Sequence, residues 1–197
     1  TRLSSDLEIN LNEGEYIHGK TMSAANGCYS TTRLYLYIHH PAVELIQNQS
    51  VDICENSSDT IKAPLTNSPS GEVSYHWSGP NDFTSNQQDI FLQHVTFSQA
   101  GNYQLTATDN HNCQVTANVT LTVLQLPATP TYIMKPDYGC HTEDNGSIII
   151  HSPLSDDNNH YDYSINNTDF QADTTFSGLE GGQYTLTVMR QGCITTA

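Results

Sequence analysis

The feature that most constrains this chain is a hairpin pattern that occurs three times. Each copy has a Gly-x-Tyr triplet, then a polar turn, then a cysteine directly after the turn. The triplets begin at Gly14, Gly101 and Gly182, and the cysteines are Cys28, Cys113 and Cys193, which lie 85 and 80 residues apart. A repeat of this length indicates small complete domains in series, because solenoid units are much shorter.

The middle copy has the clearest pattern. Before the turn, Tyr103, Leu105 and Ala107 alternate with polar residues, and apolar residues alternate with polar ones from Cys113 to Val123. Strict alternation is typical of strands with one buried face and one solvated face. The Asn- and Asp-rich segment between the two runs favours a turn. The pattern therefore predicts a β-hairpin.

The composition is that of an acidic, all-β protein. Six Lys and Arg stand against 21 Asp and Glu, giving a formal charge of −15. Such a surface disfavours nucleic acid and anionic membranes as partners. No stretch of 18 apolar residues is present, and residues 1–10 lack the basic start and apolar core of a signal peptide.

Two proline-containing segments divide the chain into three units. Pro41 follows the first unit, and Pro127 with Pro130 follows the second. We expect tandem β-sandwiches joined by short Pro-containing linkers. Residues 1–42 would be the back half of a truncated repeat, 43–126 a complete sandwich with Trp77 in its core, and 127–197 another sandwich whose last strand is cut short.

Five cysteines at recurring places predict a disulfide framework. We predict one bridge in each larger unit, Cys54 to Cys113 and Cys140 to Cys193, each worth about 4 kcal/mol in the chain-entropy model. Cys28 is then left without a partner in this chain. The alternative is five reduced, buried cysteines. Zinc is disfavoured because no two cysteines have C-x-x-C spacing.

Two units resemble known families. The second resembles Ig-like and PKD-like modules through Cys54, Trp77 and the Gly101-Asn102-Tyr103 corner, although Leu105 stands where antibody domains have a cysteine and Gln99 where they have an acidic residue. Its segment from Trp77 to Ser85, and that from Thr108 to Cys113, look like those of modules exported by the bacterial type IX secretion system. The third unit is similar to the SprB repeat through Cys140, Asp144-Asn145-Gly146-Ser147, Tyr161-Asp162-Tyr163-Ser164, the segment 176–184 and Gly192-Cys193.

These resemblances imply a long, secreted cell-surface chain used for adhesion or gliding motility. The expected partners are neighbouring repeats of the same chain, and surface glycans or other cell-surface proteins. No direct membrane insertion is expected. The alternative is that the units are spacer or binding modules attached to a secreted enzyme, for instance one that acts on polysaccharide.

No catalytic motif is present, so we expect a protein that is not an enzyme and that needs no cofactor. Three carboxylates, Asp156, Asp157 and Asp162, offer oxygen ligands for Ca²⁺, but their spacing is not that of an EF-hand, and a solvated acidic loop is the simpler interpretation. Thr60 and Thr174 lie in segments that resemble O-glycosylation sites of the same bacterial group. Tyr161 and Tyr163 fit a core better than a sugar platform.

Overall fold

The computed structural model describes residues 14–23, 29–38, 41–66, 69, 71–136 and 145–197. Within them the chain forms fifteen strands and one short 3₁₀ helix, η1 (Phe97–Gln99). The strands are β1 (Gly14–Ser23), β2 (Tyr29–Ile38), β3 (Gln49–Cys54), β4 (Asp59–Ile61), β5 (Val73–Gly79), β6 (Phe83–Ser85), β7 (Ile90–Leu92), β8 (Gly101–Asp109), β9 (Gln114–Leu124), β10 (Thr131–Lys135), β11 (Gly146–Ser152), β12 (Asp162–Ile165), β13 (Thr175–Leu179), β14 (Leu186–Arg190) and β15 (Cys193–Thr196). The all-β prediction is confirmed.

All three predicted hairpins form. β1 pairs antiparallel with β2, β8 with β9, and β14 with β15. The tight turn before β15 uses Gln191 and Gly192, both at positive φ. In the middle hairpin, the predicted alternation holds, since Tyr103, Leu105, Ala107, Ala117, Val119 and Leu121 are at most 3% exposed.

Strands β3 to β9 form a sandwich of two sheets, which we call the second module. One sheet has the order β3-β9-β8-β5-β6, with β3 parallel to β9, and the other pairs β4 with β7. The two sheets enclose a core in which Trp77 is fully buried, as predicted. β4 ends at Ile61, and Pro64 is buried where the segment 44–46 pairs with 64–66.

The strand arrangement of this module is that of the immunoglobulin fold. A short pair, β4 and β7, faces a longer sheet whose middle strands are β5, β8 and β9. Trp77 lies on β5, and the Tyr103 hydroxyl donates a hydrogen bond to the Gln99 carbonyl oxygen at 2.9 Å, which reproduces the tyrosine corner of such sandwiches. We therefore describe the module as Ig-like.

Strands β10 to β15 form a sandwich of two three-stranded sheets, β10-β11-β13 and β12-β14-β15, which we call the third module. Its separate core contains Tyr163, which is fully buried as predicted, and Tyr161 packs against that core. The corner recurs here, because the Tyr184 hydroxyl donates to the Glu180 carbonyl oxygen at 2.9 Å. The Gly-x-Tyr triplet therefore encodes the same local contact in both modules.

In the part of the chain that the structure describes, no helix has the length and apolar character needed to cross a membrane.

Candidate functional site: the joint between the second and third modules

A disulfide bond connects the second module to the third. Cys54, the last residue of β3, is bonded to Cys193, the first residue of β15, with the two Cα atoms 5.6 Å apart. Cys193 is 1% exposed. The bond closes a loop between residues that are 139 positions apart in the sequence. It is therefore a crosslink between modules and not a staple within one.

The predicted pairing of Cys54 with Cys113 is wrong. Cys54 lies opposite Leu124, at the end of β9, whereas Cys113 precedes the first residue of that strand. A strand of this length spans about 35 Å, but a disulfide requires Cα atoms within about 7 Å. Cys113 has a free thiol.

The predicted pairing of Cys140 with Cys193 is also wrong, because Cys193 is bonded to Cys54. Cys140 itself, like Cys28, lies outside the described residues. The repeat pattern correctly indicated that Cys54 and Cys193 form disulfide bonds, but it placed the bonds within modules because it carried no information on which ends of the modules meet.

The linker, residues 125–130 between β9 and β10, adds a second contact beside the disulfide. The Thr195 hydroxyl donates to the Pro127 carbonyl oxygen at 2.8 Å, which ties β15 to the linker. In the second module, the Glu55 N–H donates to the Leu124 carbonyl oxygen at 2.8 Å, so the chain after Cys54 remains attached to β9. Pro127 is buried. The disulfide therefore joins β15 to β3, and the hydrogen bond joins β15 to the linker that follows β9.

Asp109 organises the opposite end of the second module. Its Oδ1 accepts hydrogen bonds from the N–H groups of His111 and Cys113, both at 2.9 Å, and its Oδ2 accepts one from the Ala42 N–H at 3.1 Å. Burial by itself raises the pKa of this carboxyl, but the three backbone donors and the nearby His111 outweigh it and hold the pKa below its ordinary value. The same carboxylate thus closes the β8–β9 turn and anchors the incoming chain.

Sequence reasoning assigned the Asp109 segment to a turn and Pro127 to a linker. It missed the hydrogen bonds that Asp109 accepts and the contact between Thr195 and Pro127. The signal for Asp109 was its position directly before a turn, where Asx side chains accept backbone hydrogen bonds. Thr195 and Pro127 have no comparable signal, because their contact spans 68 residues of sequence.

The three carboxylates proposed for calcium are not gathered into a site. Asp156 Oδ1 accepts from the N–H groups of Asn158 and Asn159, and Asp162 lies 3.5 Å from a ring nitrogen of His160. Asp157 is exposed. Among the described residues, no group of three or more His, Cys, Asp or Glu side chains is placed to hold a metal ion. Calcium binding stays a prediction.

The two threonines proposed for glycosylation lie in different modules. Thr60 is in β4, paired with Phe91 of β7, and Thr174 directly precedes β13. Both side chains are half-buried. Their glycosylation stays a prediction.

Comparison with known proteins yields no family. No protein-family profile matches the chain, and no curated protein sequence matches it. Among solved structures, the chain is similar to the N-terminal eight Ig domains of Down Syndrome Cell Adhesion Molecule, with 11% identity and a TM-score of 0.47 over 92% of this chain and 34% of that one.

Two further solved structures have lower scores. Murine CEACAM1b is 14% identical, with a TM-score of 0.38 over 74% of this chain and 91% of that one. Extracellular domains 3–5 of Drosophila OTK are also 14% identical, with a TM-score of 0.39 over 90% of this chain and 66% of that one. The strand order of the second module, and not these low-scoring likenesses, identifies its fold as Ig-like.

Proposed function

We propose that the chain is a structural repeat segment of a long, secreted cell-surface protein, an adhesin or a gliding-motility fibre. The observation that carries this proposal is the joint between the second and third modules. There Cys54 forms a disulfide with Cys193, and Thr195 donates a hydrogen bond to the linker. A disulfide between two sandwiches fixes where they meet, which suits a chain that must project a surface away from a cell. The same bond favours an oxidising, extracellular location.

The acidic composition supports this location. A formal charge of −15 keeps the chain soluble and repels neighbouring copies. The proposed partners are adjoining repeats of the same polypeptide, and glycans or proteins on the surface that the fibre touches. The resemblance of the third module to SprB repeats supports gliding motility as the specific role.

The mass of the native parent polypeptide tests this proposal. Cells that make the protein would be treated with a protease that shaves their surface, and the released and intact chains would be mapped by peptide mass spectrometry. We expect a polypeptide of thousands of residues built of such modules and exposed on the cell surface.

Two results would contradict the proposal. A shorter parent chain that ends in a catalytic domain would make these modules spacers of a secreted enzyme. If the chain is protected from protease until the cells are lysed, it lies inside the cell. This result would exclude both the surface fibre and the secreted enzyme.

A further inference from the structure

The segment that enters the second module runs along β9 from one end to the other. The Ala42 N–H contacts Asp109, next to the turn that precedes β9, and the Gln47 side-chain amide donates to the Thr116 carbonyl oxygen at 2.7 Å. β3 then continues parallel to β9 until Cys54 lies opposite Leu124. The chain therefore crosses the whole module, over about 40 Å, before it reaches the disulfide.

The disulfide divides the two modules into a short path and a large loop. The short path runs from Ala42 through β3 to Cys54, crosses the bond to Cys193, and continues along β15. The loop contains β4 to β14, the linker and nearly all the residues of both cores. A pull applied to the chain on either side follows the short covalent path, because the loop begins and ends at the same bond.

We propose that this disulfide carries mechanical tension across the two modules and shields both of their cores from it. Tension stretches β3 and β15, which are already extended, along their own axes. Strands β4 to β9 and β10 to β14 are attached to the tensed path by hydrogen bonds and packing, but no force passes through their backbone. The modules stay folded while the chain is pulled.

The length of chain that the disulfide keeps from extending can be calculated. The loop spans 139 residue positions, and its ends are held 5.6 Å apart. If the bond were absent, unfolding under tension would release about 480 Å of chain, at about 3.5 Å per residue. With the bond intact, that length stays hidden. The inference does not depend on which surface the chain binds, and so it goes beyond the proposed function.

Single-molecule stretching of the full 197-residue chain tests the proposal. The chain would be held at its two ends through handles that use no cysteine, under non-reducing conditions, and pulled until no further unfolding occurs. The Cys193→Ser variant would be pulled in the same way. We expect its final contour length to exceed that of the unsubstituted chain by about 480 Å.

The matched control is Cys113→Ser, which removes a cysteine of the second module that takes no part in the bond. Its final length should equal that of the unsubstituted chain. An equal final length for the unsubstituted chain and the Cys193→Ser variant would overturn the proposal. So would a non-reduced peptide map in which Cys54 is bonded to another cysteine.

A second measurement keeps the test valid if the Cys193→Ser variant fails to fold. One unsubstituted molecule would be held at constant force while dithiothreitol is added. The dithiol gives up two electrons and two protons, becomes a cyclic disulfide, and leaves Cys54 and Cys193 as thiols. We expect the hidden length to be released in the same molecule only after this exchange, and full extension before the reductant is added would overturn the proposal.

Discussion

At the scale of single residues, two buried side chains bind the backbone across the turns of the second module. Tyr103 is 1% exposed, and its ring packs edge-on against Phe83 with 5.5 Å between the ring centres. Burial raises the pKa of its hydroxyl. Asp109 accepts three backbone N–H groups at the other end of β8. Each side chain makes hydrogen bonds to backbone groups that lie outside the strand ladders.

The Tyr103→Phe substitution tests the corner. It removes the hydroxyl that donates to the Gln99 carbonyl oxygen while keeping the ring in place. We expect the free energy of unfolding to fall by about 1 kcal/mol, measured by urea denaturation. Tyr132→Phe is the control, because Tyr132 is 43% exposed on β10. Equal effects of the two substitutions would show that the corner hydrogen bond contributes nothing.

Asp109 should make the free energy of unfolding of the second module depend on pH. Its folded-state pKa lies below the ordinary value of 3.8, so its stabilising effect is complete above that value. The effect is lost as the pH falls below 3.8 through the folded-state pKa, because the unfolded chain then binds the proton first. We therefore expect a lower urea midpoint at pH 3 than at pH 6, with the loss confined to the most acidic part of this range.

The Asp109→Asn variant should show a weaker fall of the midpoint over this pH range. Asp52→Asn is the matched control, since Asp52 is exposed on β3 and its substitution should leave the fall unchanged. An Asp109→Asn variant with the same fall as the unsubstituted protein would contradict the prediction.

At the scale of secondary-structure elements, the neighbouring strands β5 and β8 bring the largest side chains of the core together. Trp77 on β5 pairs with Leu105 on β8, and both are fully buried. The Trp77 indole N–H donates to the Gln88 carbonyl oxygen at 3.1 Å, so the buried ring has a partner for its one donor. At the end of β5, Gly79 lies directly against the ring of Tyr103.

The Gly79→Ala substitution should destabilise the module by about 1–3 kcal/mol. A Cβ atom at this position would lie 2.6 Å from the Tyr103 ring, which is held in place by its bond to Gln99. Gly71→Ala is the control, because nothing lies within 4 Å of a Cβ atom there. Thermal unfolding of both variants checks the prediction, and an unchanged midpoint for Gly79→Ala would contradict it.

At the scale of the whole molecule, the two modules have separate cores and are joined by a disulfide in addition to the linker. Closing a loop of 139 residue positions restricts the unfolded chain. In the chain-entropy model this restriction is worth about 5 kcal/mol. Because the loop contains parts of both modules, the bond links the unfolding of one to that of the other.

The Cys193→Ser variant should therefore lower the temperature of thermal unfolding and broaden or split the transition, as seen by calorimetry. Dithiothreitol should have the same effect on the unsubstituted chain. Cys113→Ser should leave the transition unchanged, because the Cys113 thiol is free. If Cys193→Ser and Cys113→Ser unfold alike, the crosslink does not stabilise the pair of modules.

The sequence by itself determined the local structure of this protein. Alternation of apolar and polar residues correctly predicted β8 and β9, and the phase of Trp77 and Tyr163 placed both in cores. The Gly-x-Tyr triplets marked the start of the hairpins. In the second and third copies, the tyrosine hydroxyl donates a hydrogen bond to a carbonyl oxygen only four positions earlier. Such signals are readable because their physical causes lie within a few neighbouring residues.

Only the tertiary structure decided how the cysteines pair and how the modules meet. Cys54 reaches Cys193 because β3 runs parallel to β9 and ends at the joint, and the parallel pairing has no local sequence signal. The same holds for Thr195 and Pro127. A disulfide forms between the side chains that folding brings within a few ångström of each other, so its pairing follows from the arrangement of whole strands and not from the spacing of the cysteines.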